Sequence, residues 1–359
     1  MARRLLAFCL IVSLVLLGAC KTAADDPDNG NGNGAPPLGQ ADIEAVVDAI
    51  GASVVEVGTD LIEDPILYAM IWFDPACLEP ESNELKRGVF EFDWDTGEWM
   101  PLPNAVDYLE CRWSFEDSDF NERDAVLRFD WGLTEFVGVG WGPNQEVPAD
   151  GMAVTMTIDD VPAGEVDAAF AWYSAAACPD GVLVPTSVEI DGSMGLLATL
   201  SFNDVVFTLS DTRLATSGAV VAASGSDNFG IEWDVGIDGL VIRGPDCFVE
   251  DFDISSGDVS LTAFAVAAGS RSSLGFNLAF DNIVLDNDWL ESIDISGSVE
   301  VNDVPAVTFS GTLDDLDEFT PGANVALEFA DGTSMTLKEF IEGAQVMATT
   351  VSRLRSLVR

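Results

Sequence analysis

Histidine is absent from this 359-residue chain. That removes Ser-His-Asp triads, Cys-His dyads and every His-ligated metal site. Nucleophilic chemistry finds no other foothold, since there is no Gly-x-Ser-x-Gly elbow and no Ser-x-x-Lys pair. Gly138-Val139-Gly140-Trp141-Gly142 is followed by neither a helical pattern nor a lysine, so it is not a phosphate loop. Paired carboxylates remain, and two of them facing one cleft can run glycoside hydrolysis. With 62 Asp+Glu in the chain, however, nearness of two acids carries no information. Calcium has candidates in Asp314, Asp315 and Asp317, and in Asp286 and Asp288. Neither group has EF-hand spacing or a Gly-rich nonapeptide repeat, and a solvated acidic surface accounts for both. The expectation is no catalytic residue, no resident metal and no cofactor.

Six cysteines are present. Cys9 and Cys20 fall in the first twenty residues. Cys77, Cys111, Cys178 and Cys247 form an even set in the body, which in an exported protein reads as two disulfides. Three pairings are open. Cys77–Cys111 with Cys178–Cys247 is favoured, because Cys178-Pro179-Asp180 and Pro245-Asp246-Cys247 are similar turns. A zinc site lacks any Cys-x-x-Cys spacing.

Charge narrows the partners. Against the 62 acids stand 15 Lys+Arg, for a formal net charge of −47. Such a surface repels phosphate backbones and excludes a basic nucleic-acid groove. Seven of the nine tryptophans lie between Trp72 and Trp172. An exposed Trp beside Asp makes a sugar platform, but Trp94 and Trp131 alternate with Phe92 and Phe129, as core strands do.

The elements that would position these groups are mostly strands, and the fold class expected is mainly β: an antiparallel meander, as an extended twisted sheet or a sandwich. Ile43, Val46, Val47, Ile50, Val54, Val57 and Leu61 predict an N-terminal amphipathic helix stopped by Pro65. Val89–Trp94 alternates and turns back at Asp95-Thr96-Gly97. Further strands are predicted at 125–131, 153–158, 166–173 and 199–209, with Asp-Gly turns at 150–151, 180–181, 191–192, 238–239 and 331–332. Phe202-Asn203-Asp204-Val205-Val206-Phe207 recurs as Ile237-Asp238-Gly239-Leu240-Val241-Ile242 and as Phe280-Asp281-Asn282-Ile283-Val284-Leu285. Each copy is expected to be followed by a small-residue turn, at 216–218, 255–257 and 295–297, so that hairpins stack into one sheet. Thr336 and Glu339 have capping-box spacing and open a C-terminal amphipathic helix through Leu354. Arg353, Arg355 and Arg359 suit the dipole at its end.

Arg3 and Arg4 precede an uncharged apolar run from Leu5 to Leu17, which is too short to span a bilayer and ends in Leu17-Gly18-Ala19-Cys20. This resembles the lipobox signal of bacterial lipoproteins. The resemblance covers residues 1–20 and implies cleavage before Cys20, a diacylglyceryl thioether on Cys20 and acylation of its amine by a fatty acid such as palmitate. In the enterobacterial family an Asp after the cysteine favours inner-membrane retention, and Lys21 here points to the outer membrane. Two or more chains hold a protein stably, at about 0.8 kcal/mol per buried CH₂. Lys21–Gln40 is Gly-, Asn-, Asp- and Pro-rich and reads as a flexible tether. Loss of Arg3 and Arg4 leaves 62 − 13 = 49 excess negative charges on the mature chain.

The organisation expected is a signal peptide over 1–19, a lipidated cysteine and tether over 20–40, an N-terminal helix with a Trp-rich β region over 41–185, a repeated-hairpin region over 186–334 and a C-terminal helix over 335–359. The hairpins between Lys86 and Trp131, with the recurring strands behind them, also resemble exported β-rich lipoproteins that bring no activity with them. The function expected is that of an anchored, non-enzymatic protein of the cell envelope, with its membrane partner reached through the lipid on Cys20. Two alternatives stand beside it: a carrier of an apolar ligand or lipid in a curved sheet, and a carboxylate-based glycoside hydrolase. Apolar ligands and envelope polysaccharide are the other partners these readings suggest.

Overall fold

The computed structural model describes residues 40–78, 86–104, 106–132, 136–139, 145–172, 185–243, 249–286, 289–314 and 322–340. Helix α1 (Gln40–Glu63) is followed by α2 (Pro65–Trp72) and a 3-10 turn (Pro75–Leu78). Strands follow as β1 (Gly88–Asp93), β2 (Glu98–Pro101), β3 (Leu109–Glu116), β4 (Glu122–Asp130), β5 (Phe136–Val139), β6 (Gln145–Pro148), β7 (Gly151–Ile158), β8 (Val161–Trp172) and β9 (Pro185–Met194). The remaining strands are β10 (Thr199–Leu209), β11 (Arg213–Ser224), β12 (Asp227–Arg243), β13 (Val249–Ala267), β14 (Ser270–Asp286), β15 (Trp289–Val301), β16 (Val304–Leu313), β17 (Val325–Phe329) and β18 (Ser334–Thr336). The protein is mainly β. One 16-stranded mixed sheet runs β18-β17-β16-β15-β14-β13-β12-β11-β10-β9-β8-β7-β4-β3-β1-β2, and β5 with β6 forms a separate pair. The sheet is mostly antiparallel, with β1 parallel to β3. Its outermost strands, β2 and β18, are four and three residues long.

The chain divides into two compact units. The first comprises Ala52–Ile254 and Ala265–Gly269. Its core is built by the period-two pattern of β3, where Leu109, Cys111, Trp113 and Phe115 are buried. Cys111 and Trp113 stand opposite Leu127 and Ala125 of β4. Those two in turn face Met156 and Ile158 of β7, and Ala163 of β8 extends the cluster. α2 covers this core through buried Ala69 and half-buried Ile66 and Tyr68. The helical run does not simply stop at Pro65. α1 ends at Glu63, Asp64 caps a new helix, and Pro65 takes its first position, where a missing N–H costs nothing.

The second unit comprises Met1–Gly51, Ser255–Phe264 and Ser270–Arg359. Val325 and Leu327 of β17 point inward, and Phe276 stacks on Phe309 with ring centroids 6.0 Å apart. The capping box forms as its spacing predicts. Thr336 N–H donates to Glu339 Oε2 at 2.8 Å, and Glu339 N–H donates to Thr336 Oγ1 at 3.2 Å. That opens a helical turn over 337–340, beyond which the expected helix lies outside the described residues.

Several expected turns are strand interior. Residues 216–218, 255–257 and 295–297 lie within β11, β13 and β15, and Asp191-Gly192 and Asp238-Gly239 lie within β9 and β12. The glycines serve close approach instead. A Cβ on Gly192 (φ +144°) would sit 2.3 Å from Glu165 O on β8, and one on Gly218 (φ +149°) 2.7 Å from Val205 Cα on β10. The repeated motif is a bulge: Asp204 (φ 48°) and Asn282 (φ 49°) occupy the same place in their copies, and the register shifts beside each. True hairpin turns sit at Asp159-Asp160 (φ 51°, 63°), Ala268-Gly269 (φ 51°, 81°) and Asn302-Asp303 (φ 50°, 63°). Positive φ at both central residues is the type I′ requirement, and its twist matches that of the strands. Asp95-Thr96-Gly97 and Asp331-Gly332 do lie in turns, as expected.

Candidate functional site

The densest side-chain constellation in the first unit is aromatic. Buried Trp113 packs on Phe73 with ring centroids 5.0 Å apart, and Phe73 meets Trp99 at 5.9 Å. Trp99 contacts Phe92 at 5.1 Å, Phe92 contacts Trp94 at 4.6 Å, and Trp94 meets Trp72 edge to face at 5.8 Å. The ladder thus climbs from the core to the surface, where Trp72 and Trp94 are 48% and 50% exposed. Each such pair contributes about 0.5–1.5 kcal/mol beyond area burial, which favours this placement of the outer rings. Indole N–H groups fix the inner ones. Trp113 Nε1 donates to Ala69 O at 3.0 Å and Trp99 Nε1 to Asp74 O at 3.2 Å. The alternation of Phe92 and Trp94 led to a buried Trp94. The strand ends at Asp93, so Trp94 stands on the turn and emerges.

Cys77 and Cys111 form a disulfide behind this ladder, tying the 3-10 turn to β3. Cys20, Cys178 and Cys247 lie outside the described residues, as do Asp288, Asp315 and Asp317. Asp314 accepts from Asn324 Nδ2 at 2.9 Å and is an exposed loop anchor. Among the described residues no group of three or more His, Cys, Asp or Glu is placed to hold a metal ion.

Two carboxylates the sequence did not single out organise the surface loops. Asp64 is 1% exposed. Its Oδ1 accepts from Ile66 N–H at 2.9 Å, the N-cap bond of α2. Its Oδ2 accepts from the N–H groups of Leu196, Leu197 and Ala198 at 2.7, 2.6 and 3.1 Å, fixing the turn between β9 and β10. Asp-Pro before an apolar run was the available signal for the cap, and nothing local could announce the distant turn.

Asp117 arranges the β3–β4 turn. Burial would push its carboxyl up, but N–H donation from Asn121 and Asp119, with Arg123 Nε at 2.9 Å, outweighs that and holds it at about 2. Arg123 also donates through Nη1 to Asp159 Oδ2 at 2.7 Å, linking this turn to the β7–β8 turn. The Asp124 N–H and Arg123 bonds hold the Asp159 carboxyl below its ordinary value. Within this frame Phe120 adopts φ 59° and is 82% exposed. An aromatic residue in the left-handed region is uncommon and needs surroundings that enforce it.

No protein-family model, no curated protein and no solved structure matches the chain.

Proposed function

We propose that the chain is a lipid-anchored, exported protein of the bacterial cell envelope whose β body binds or scaffolds and does not catalyse. The observation that carries this is Leu17-Gly18-Ala19-Cys20 behind a basic and then apolar leader. The Cys77–Cys111 bridge supports the same reading, since disulfides persist in oxidising compartments. In this reading a lipid on Cys20 holds the protein to the outer membrane, as Lys21 suggests. The antiparallel meander stands beyond the tether, flanked by amphipathic helices at both of its ends. Labelling cells with a radioactive fatty acid tests it. Wild type should carry label and Cys20→Ser should not; equal labelling of both ends the proposal.

Carriage of an apolar ligand is a second reading. It is favoured by Leu240 and Ile242, which are two residues apart on β12 and both exposed on one face. Mass spectrometry of lipid extracted from the purified protein tests it, and ligand-free protein would count against it.

A further inference from the structure

The strand registers of the first unit place five hairpin turns at one end of its strands. β1 lies parallel to β3 with Glu91 beside Arg112, so the turn at 94–97 is at the same end as the turn at 117–121. Ala125 of β4 pairs with Ile158 of β7, which brings the turn at 159–160 alongside. Gly164 of β8 pairs with Met194, and Thr199 of β10 with Ala223, adding the turns at 195–198 and 225–226. Four of these five turns or the strand starts beside them carry exposed apolar side chains: Trp94 with Trp72 against it, Phe120, Val161, Leu196 and Leu197. They are not loose. Asp64 holds the loop of Leu196 and Leu197 by three N–H bonds, Asp117 and Arg123 hold the loop of Phe120, and the aromatic ladder holds Trp94. A soluble turn has no need to hold Phe120 both exposed and left-handed.

We propose that this end of the first unit seats on a zwitterionic bilayer surface, its aromatic and aliphatic tips entering the headgroup region. The inference rests on the lipid-anchor reading for the nearness of a membrane. The twenty residues Lys21–Gln40 reach about 70 Å when extended. A lipid on Cys20 would therefore keep the body within about that length of one bilayer. Trp settles at a membrane interface, and Phe and Leu are side chains of apolar faces that enter the headgroup–acyl boundary. The charge selects the lipid. Exposed Asp95, Asp119 and Asp160 stand on the same turns, level with choline ammonium groups, and anionic headgroups would repel them along with the rest of a chain of net charge −47.

The test uses the chain from residue 20 onward carrying Cys20→Ser, so that no acyl chain contributes, sedimented with phosphatidylcholine vesicles. The expected result is co-sedimentation with a blue shift of tryptophan emission, weakened at low salt when about a third of the lipid is phosphatidylglycerol. Phe120→Ser with Leu197→Ser should lower partitioning at least about tenfold while near-ultraviolet circular dichroism stays that of the parent. No co-sedimentation, or equal partitioning of the double variant, overturns the proposal. So does self-association or oligosaccharide binding that occupies these tips instead. Fatty-acid labelling of Cys20 in cells, with vesicles ignored by the unacylated chain, would leave the anchor standing and remove this surface alone.

Discussion

Asp64 Oδ2 accepts a hydrogen bond from the backbone N–H of Leu197 at 2.6 Å, across 133 residues of chain. The same oxygen serves Leu196 and Ala198, while Oδ1 caps α2. One buried carboxylate therefore ties a helix start to a distant hairpin.

Replacing it should be costly. Asp64→Ala strands three N–H groups and removes a cap, an expected loss of about 3 kcal/mol or more. Asp64→Asn keeps an acceptor and should lose about half as much. Urea unfolding of both variants measures this, and an unshifted midpoint in Asp64→Ala would show that the clamp is idle.

Acid should act through Asp117. Its carboxyl is held at about 2 in the folded protein against 3.8 for an ordinary Asp in the unfolded chain. Its contribution is complete above pH about 5, where both states are ionised, and is lost as pH falls through about 2, because the unfolded chain takes up the proton first. Asp130 and Asp159 are lowered as well and act in the same direction. The urea midpoint should fall across this window, and Asp117→Asn should flatten the fall. An equally steep decline in that variant would assign it elsewhere.

Reduction should loosen the first unit. The Cys77–Cys111 bridge closes a sequence separation of 34 residues, for which loop entropy predicts a stabilisation of about 4 kcal/mol. Non-reducing peptide mapping should recover the linked pair. Cys77→Ala with Cys111→Ala should unfold at lower urea; unfolding at the parent's midpoint would contradict the estimate.

Relief of backbone strain at Phe120 should be visible. Phe120→Gly places at φ 59° a residue without a Cβ, with an expected gain of roughly 0.5 kcal/mol. If the tips bind lipid, that gain will accompany weaker vesicle partitioning. A destabilised Phe120→Gly would mean that the ring is packed in solution.

Period-two alternation is a local signal, and it made β1, β4, β7, β8 and β10 legible, while β3, which alternates as clearly in its burial, was not singled out. The capping box at Thr336 was legible for the same reason, residue type and spacing being sufficient; the cysteines left three pairings open, and Cys77–Cys111 is the one the fold closes. Turns were read less well. Asp-Gly pairs drew attention to 191–192 and 238–239, where glycine answers to a neighbouring strand that the local sequence does not reveal. Conversely Asp159-Asp160 and Asn302-Asp303 turn the chain without glycine, since Asp and Asn tolerate the left-handed region. Strand β1 ends one residue short of Trp94, which brings that ring to the surface although its alternation with Phe92 points to the core. The tip residues and the Asp64 clamp escaped because they depend on which hairpins become neighbours.

The two outermost strands, four and three residues long, have a bearing on life at high local concentration. A sixteen-strand ladder with full-length free margins would invite neighbouring copies to add on and polymerise. Here the margins are stubs, and β2 ends in Pro101, which has no amide hydrogen to offer. At high concentration a neighbour's chain would find only three- and four-residue outer strands on which to continue the ladder.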